Sequence, residues 1–244
     1  MFNLHLYMFS PAIFRASRKG DVEKLNQLIT AGANVDIGDH RGVTPLMVAS
    51  SRGKSAAVKM LIEHGATINV QDNNGMTPLT HALQNTWLQR NLSRMINNIR
   101  AMAAGDQANS YRYYHPGPKK NNDVAELLVS KGADANLADA QNMTPLMYAV
   151  ILGNEEIATL LLRRSADVNA KNNDGATPLM MAVLRGFLNI VNLLIEYNSD
   201  VNYCNADGIS VMTVALYKNN KEIIELLRAK GAKEEVTSCL LRKK

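Results

Sequence analysis

The stretch from Thr144 to Asn169 reads TPLMYAVILGNEEIATLLLRRSADVN. Thr144 can cap a helix N-terminus through its hydroxyl, and Pro145 at the first helical position has a preset φ and no orphan N–H. Leu146, Ala149 and Val150 then supply the apolar face of a short helix, and Gly153 ends it where a left-handed residue is needed. A second helix follows, with Ile157, Ala158, Leu160, Leu161 and Leu162 on its buried side. Ala166-Asp167-Val168-Asn169 leads into a loop tipped by Asn173-Asp174-Gly175, which has turn chemistry.

The same unit recurs along the chain. Thr144-Pro145-Leu146-Met147 has counterparts in Thr44-Pro45-Leu46-Met47, Thr77-Pro78-Leu79-Thr80 and Thr177-Pro178-Leu179-Met180, at steps of 33, 67 and 33 residues. A second series, Gly32, Gly65, Gly132, Ser165, Asn198 and Gly231, keeps the same phase. Two independent markers in register make a repeat array the reading of the sequence. The helix pair plus turn, carrying T-P-L and a closing A-D-V-N, resembles the ankyrin repeat over residues 10–237. The fold implied is an all-α solenoid of about six helix-turn-helix units with short β-turn loops. One departure runs through the units: Met47, Thr80, Met147, Met180 and Thr213 replace the family's His after T-P-L, which removes the imidazole that usually bonds to the neighbouring turn.

The expected units are about 10–38, 39–71, 72–138, 139–171, 172–204 and 205–237, preceded by a capping segment, 1–9, and followed by a tail, 238–244. The first unit aligns through Ala16, Gly20, Leu28 and Gly32 and carries Arg15, Arg18 and Lys19, as a polar terminal cap should. The last has Ser210-Val211-Met212 in place of T-P-L.

The 67-residue step places about 34 extra residues inside the third unit, as an extended helical insert over about 87–120. Leu88, Leu92, Met95, Ile99 and Met102 form an apolar stripe at helical spacing, so the first helix of this unit is expected to continue to about Ala104. Arg90, Arg94, Arg100, Arg112, Lys119 and Lys120 face Asp106 alone between Trp87 and Asn122. The chain has 27 Lys plus Arg and 22 Asp plus Glu, which leaves 21 of each outside this segment and the whole formal charge of +5 within it. The same segment holds the one Trp of the chain and the cluster Tyr111-Arg112-Tyr113-Tyr114-His115. Three readings stand side by side: a stripe folded back on the solenoid, a docking element for a partner, and a decayed seventh repeat.

Composition favours helices, since apolar residues make up 46% and aromatics 5%. Cys204 and Cys239 make no C-x-x-C pair, and no Cys/His spacing suits zinc, so no metal, no cofactor and a reducing, cytoplasmic setting are expected. No run approaches the roughly 18 apolar residues of a membrane helix. The apolar opening, Met1 to Phe9, lacks a charged n-region and a small-residue cleavage site and reads as a cap rather than a signal peptide. No phosphate loop, dinucleotide fingerprint, H-E-x-x-H or G-x-S-x-G is present, so no catalytic residue is assigned and the chain reads as a non-enzyme. Asp39, Asp72, Asp139 and Asp174 read as turn formers rather than metal ligands, and His81 as a satisfied groove histidine.

The resemblance implies a non-catalytic protein-interaction scaffold, monomeric for preference, that grips another protein with turn tips and first-helix surfaces along a concave strip. Carried onto this sequence, the partner-binding candidates are Arg41, Met76, Gln141 and Met143 at the tips and Arg52, Gln84, Ile151, Leu152, Leu184, Arg185 and Tyr217 on the first helices. Ile151, Leu152, Leu184 and Tyr217 form a candidate apolar patch. The insert adds Trp87, Arg90, Arg94, Tyr111, Arg112, Tyr113 and Tyr114, residue types frequent among interface anchors. Two alternatives remain open: a nucleic-acid-binding accessory protein acting through the basic, aromatic insert, and a bacterial effector delivered to a host cell.

Overall fold

The computed structural model describes residues 4–84 and 121–233, with side chains from Pro11 onward. Among these residues there are twelve α-helices and no strand, and one isolated antiparallel bridge joins Cys204 to Ser210. They fall into two compact units, one of residues 4–84 with 121–140 and one of residues 141–233.

Unit one contains α1 (Leu4–Lys19), α2 (Val22–Thr30), α3 (Pro45–Ser51), α4 (Ser55–Glu63), α5 (Pro78–Leu83) and α6 (Asn122–Ser130). The shorter, Pro-initiated helices α3 and α5 pack side by side with α1, and α2, α4 and α6 form a second layer behind them. Unit two repeats this with α7 (Pro145–Ile151), α9 (Pro178–Arg185) and α11 (Val211–Lys218) in an inner row and α8 (Glu155–Arg163), α10 (Leu188–Glu196) and α12 (Lys221–Ala229) in an outer row. Each inner helix also packs on the outer helix that follows it. The expected capping segment is partly helical, since α1 starts at Leu4 and runs through Pro11.

The T-P-L motif works as its chemistry requires. Thr44 and Thr77 accept the backbone N–H three residues on at 3.4 and 3.2 Å, and Thr144 and Thr177 do so at 3.3 Å each. Ser210, where T-P-L is absent, makes the same bond at 3.1 Å. A cap of this kind contributes about 1 kcal/mol to a helix only two turns long. The residue standing where the family has His also serves the cap: Met47 Sδ accepts the Thr44 N–H at 3.4 Å, and Thr80 Oγ1 accepts the Thr77 N–H at 2.8 Å.

The third repeat stays regular across its interruption, because α5 and α6 pack together as the other pairs do. Its inner helix does not continue to about Ala104 as the apolar stripe led us to expect. It stops at Leu83, and Gln84 is extended, with φ −71° and ψ 137°. Described backbone resumes at Asn121, the residue before α6, whose φ of 78° is left-handed where the residues before the other outer helices have negative φ. Its Nδ2 lies 3.4 Å from Ser51 O and 3.3 Å from Ala82 O, so one side chain supplies donors to carbonyls at the ends of α3 and α5.

Candidate functional site

Four turn tips are each held by one side chain. In unit one Asp39 Oδ1 accepts the N–H of Arg41 at 2.8 Å and of Val43 at 3.0 Å, and Asp72 Oδ1 those of Asn74 at 2.8 Å and Met76 at 3.0 Å. In unit two Asn172 Oδ1 takes Asp174 at 3.1 Å and Ala176 at 2.8 Å, and Asn205 Oδ1 takes Asp207 at 3.1 Å and Ile209 at 2.9 Å. Asp39 and Asp72 are turn formers, as expected, and Asp139 is buried at the same register. Asp174 lies within its turn, where the bracket is made by Asn172, two residues earlier, and Asp174 donates its backbone N–H to it. Adjacent tips are stitched by backbone bonds, Asn73 N–H to Arg41 O at 2.9 Å and Ala140 N–H to Asn74 O at 2.8 Å in unit one, and Asn173 N–H to Gln141 O at 3.0 Å in unit two. With the backbone so engaged, the side chains of His40, Arg41, Asn73, Asn74, Gln141, Ala206 and Asp207 are exposed.

The residue four positions after each bracket goes inward instead. Val43, Met76, Met143, Ala176 and Ile209 are all buried. Met76 and Met143, expected as partner contacts, are buried instead: each stands two residues before the first residue of an inner helix, and the Asp72 bracket draws in the Met76 N–H. Met143 Sδ lies 3.7 Å from Asn172 Nδ2, and Met76 Sδ lies 3.0 Å from Gln84 Nε2.

His81 Nε2 lies 3.0 Å from Asp72 Oδ2, so the turn of the third repeat is tied to its own inner helix. Burial lowers the pKa of the ring most; the bond and charge of Asp72 oppose this, Arg41 adds to the lowering, and Asp39 resists it. A neutral ring then donates from Nε2 to the carboxylate and keeps Nδ1 as an acceptor. His81 is thus the satisfied groove histidine that its position implied.

Among the inner-helix candidates, Arg52 is exposed at the end of α3, Gln84 and Leu152 are half-buried, and Tyr217 is exposed. Ile151 is buried at 1% and Leu184 at 9% exposure, so the expected apolar patch does not form from these residues. The physical reason is in their helices. Every residue from Pro145 to Ile151 and from Pro178 to Leu184 is buried, and a helix with no polar face has no side to leave open. Arg185 is half-buried, with its guanidinium carbon 5.2 Å from the centroid of the Phe187 ring. Leu216, which the spacing did not single out, is the most exposed large apolar side chain among the described residues at 43%, next to Tyr217 at 38%. Trp87, Arg90, Arg94, Tyr111, Arg112, Tyr113 and Tyr114 lie outside the described residues.

Among the described residues there is no group of three or more His, Cys, Asp or Glu that could hold a metal ion, and no helix long and apolar enough to cross a membrane. A family model for ankyrin repeats matches this chain in three copies, over residues 13–98, 119–172 and 161–238. The chain belongs to the ankyrin-repeat family, whose repeats are generally protein–protein interaction modules. The match leaves residues 99–118, within the insert, uncovered. No curated protein matches the chain.

Proposed function

We propose that this chain is a non-catalytic scaffold of a reducing, cytoplasmic compartment that holds another protein through the turn tips and inner helices of its repeats, with the basic, aromatic insert as a second contact. The observation that carries this reading is the bracketed turn. Asp39, Asp72, Asn172 and Asn205 hold the tip backbones, so Arg41, Asn73, Asn74, Gln141 and Asp207 present side chains from positions that do not have to fold around a ligand. Membership in a family of interaction modules supports the same reading.

The test is affinity capture from cell lysate, with and without nuclease, comparing the intact chain with one in which residues 87–120 are replaced by a short loop. A protein retained by both chains after nuclease supports the tips and inner helices as the contact, and one lost with the insert assigns recognition to the insert. Capture that disappears with nuclease in both chains refutes the protein-binding reading and favours nucleic acid.

A further inference from the structure

Asn74-Gly75 is the one Asn-Gly pair in the chain. It stands at the turn tip of the third repeat, where the fold demands glycine: residue 75 has φ 74°, and a Cβ there would lie 2.9 Å from Ala140 N. That demand leaves the backbone nitrogen of residue 75 with no side chain to shield it. The corresponding tips carry Arg41-Gly42, Gln141-Asn142, Asp174-Gly175 and Asp207-Gly208, so no other tip sets an asparagine before a glycine.

The carboxamide of Asn74 is also the loose one. Asn73 beside it donates Nδ2 to His40 O at 3.2 Å, and Asn142, at the first tip of unit two, donates Nδ2 to Asn173 Oδ1 at 2.6 Å. Asn74 is exposed, and among the described residues no hydrogen bond engages its side chain. Its backbone alone is held, by its N–H to Asp72 Oδ1 at 2.8 Å and by its carbonyl to the Ala140 N–H at 2.8 Å.

We propose that Asn74 is a site of deamidation, carried out by the chain on itself. Gly75 N gives its proton to hydroxide and attacks Asn74 Cγ. The Cγ–Nδ2 bond breaks, and ammonia leaves with a proton taken from water. Water then opens the five-membered imide, at Cγ to give aspartate or at the backbone carbonyl carbon to give isoaspartate. Nothing is oxidised or reduced, and water is the sole co-reactant. Either product puts a carboxylate on a neutral tip, as Asp174 and Asp207 already do on theirs. Isoaspartate also lengthens the main chain by one methylene, which breaks the spacing at which Asp72 Oδ1 holds both the Asn74 and Met76 N–H groups.

The turn sets the rate. Gly75 donates its N–H to Asp72 O at 2.8 Å, so its nitrogen attacks only while the turn is open, and an exposed tip opens locally without global unfolding. The reaction needs no partner and goes beyond the scaffold reading; a partner held at this tip would meet a charge that the sequence does not encode.

The experiment holds the full chain at physiological temperature for weeks over a range of pH around neutrality. Peptide mapping by mass spectrometry follows each amide, and isoaspartyl methyltransferase labels isoaspartate. Asn74 is expected to convert ahead of Asn73, Asn142 and Asn173, to give both acids, and to convert faster as pH rises. Asp72→Ala, which releases the tip, should raise the rate about fivefold or more, the gain in open population that one lost hydrogen bond gives. Urea below the unfolding transition should raise it in the parent chain, which covers the case in which Asp72→Ala does not fold. Conversion of all four asparagines at one rate, an unconverted Asn74 in the parent and in urea, or aspartate as the sole product, the mark of direct hydrolysis, would each overturn the assignment. A rate that neither Asp72→Ala nor urea changes would overturn the turn as its gate.

Discussion

Replacing Gly75 by Ala tests whether the tips of unit one are locked to one another. Gly75 has φ 74°, and a Cβ built there would lie 2.9 Å from Ala140 N and 3.1 Å from Asp139 C and Cα, all backbone atoms of the following turn. Gly65 is the internal control: its φ is 85° and nothing lies within 4 Å of its Cβ position. Both substitutions incur the left-handed penalty, about 1–2 kcal/mol for an L-residue, partly offset by the roughly 0.4–1 kcal/mol gained from a stiffer unfolded chain. Gly75→Ala alone must also push apart two backbones joined by the 2.8 Å Ala140 N–H to Asn74 O bond. Overpacking of this kind costs about 1–3 kcal/mol, because backbone cannot rotate out of the way as a side chain does. Gly75→Ala should therefore be less stable than Gly65→Ala by about 1–3 kcal/mol in urea unfolding. Amide exchange at Ala140 should accelerate in Gly75→Ala and not in Gly65→Ala, which reports the turn locally whether or not unfolding is two-state. Equal urea midpoints with unchanged Ala140 protection would refute the close approach as the reason for glycine at this position.

His81 should make stability depend on pH. Its folded pKa is lowered from the ordinary 6.5, so the unfolded chain binds the proton more readily, and the stabilisation present above pH 6.5 is lost as pH falls from there through the lower folded value. Urea midpoints of the parent between pH 7.5 and 5 should fall more steeply than those of His81→Asn, and parallel profiles would dismiss this histidine as the source. Asn121→Ala should cost about 1–2 kcal/mol, since Ala at a φ of 78° loses both the left-handed tolerance of Asn and its amide bonds to Ser51 and Ala82. Asn121→Gly should cost less than Asn121→Ala in the same unfolding assay; equal costs would show that the lost side-chain bonds, not the left-handed backbone, set the residue.

Much of the fold was legible because its determinants are local. A hydroxyl before Pro-Leu caps a helix whatever surrounds it, and Ser210 shows that the hydroxyl alone suffices. What escaped were decisions made between elements. The stripe from Leu88 to Met102 argued for one long helix, but nothing like Gly or Pro at Gln84 marks the stop that its extended backbone makes there. Met76 and Met143 occupy tip positions in the sequence, yet both are buried, Met76 with its N–H held by the two-amide bracket of Asp72. Asp174 and Asn172 differ by two residues, too few for composition to choose between two good turn formers. Ile151 and Leu184 were read as a surface patch because first-helix positions are usually open on one side. The uninterrupted apolar run around each was the signal that could have corrected this.

The family's histidine after T-P-L, which this chain lacks, shows how the two levels meet. Met47 and Thr80 keep the cap function of the third helical position, with a sulfur or hydroxyl closing the box. In the third repeat the imidazole instead stands one residue later, and one residue on a helix is about 100° of rotation. That rotation keeps the link between turn and helix, through Asp72 Oδ2, yet leaves the ring partly exposed. The link is therefore made by a titratable ring whose pKa burial lowers, in the repeat that holds the insert. Stability of that turn and presentation of Asn73 and Asn74 at its tip depend on the same buried carboxylate, so a proton taken up by His81 is felt at that tip.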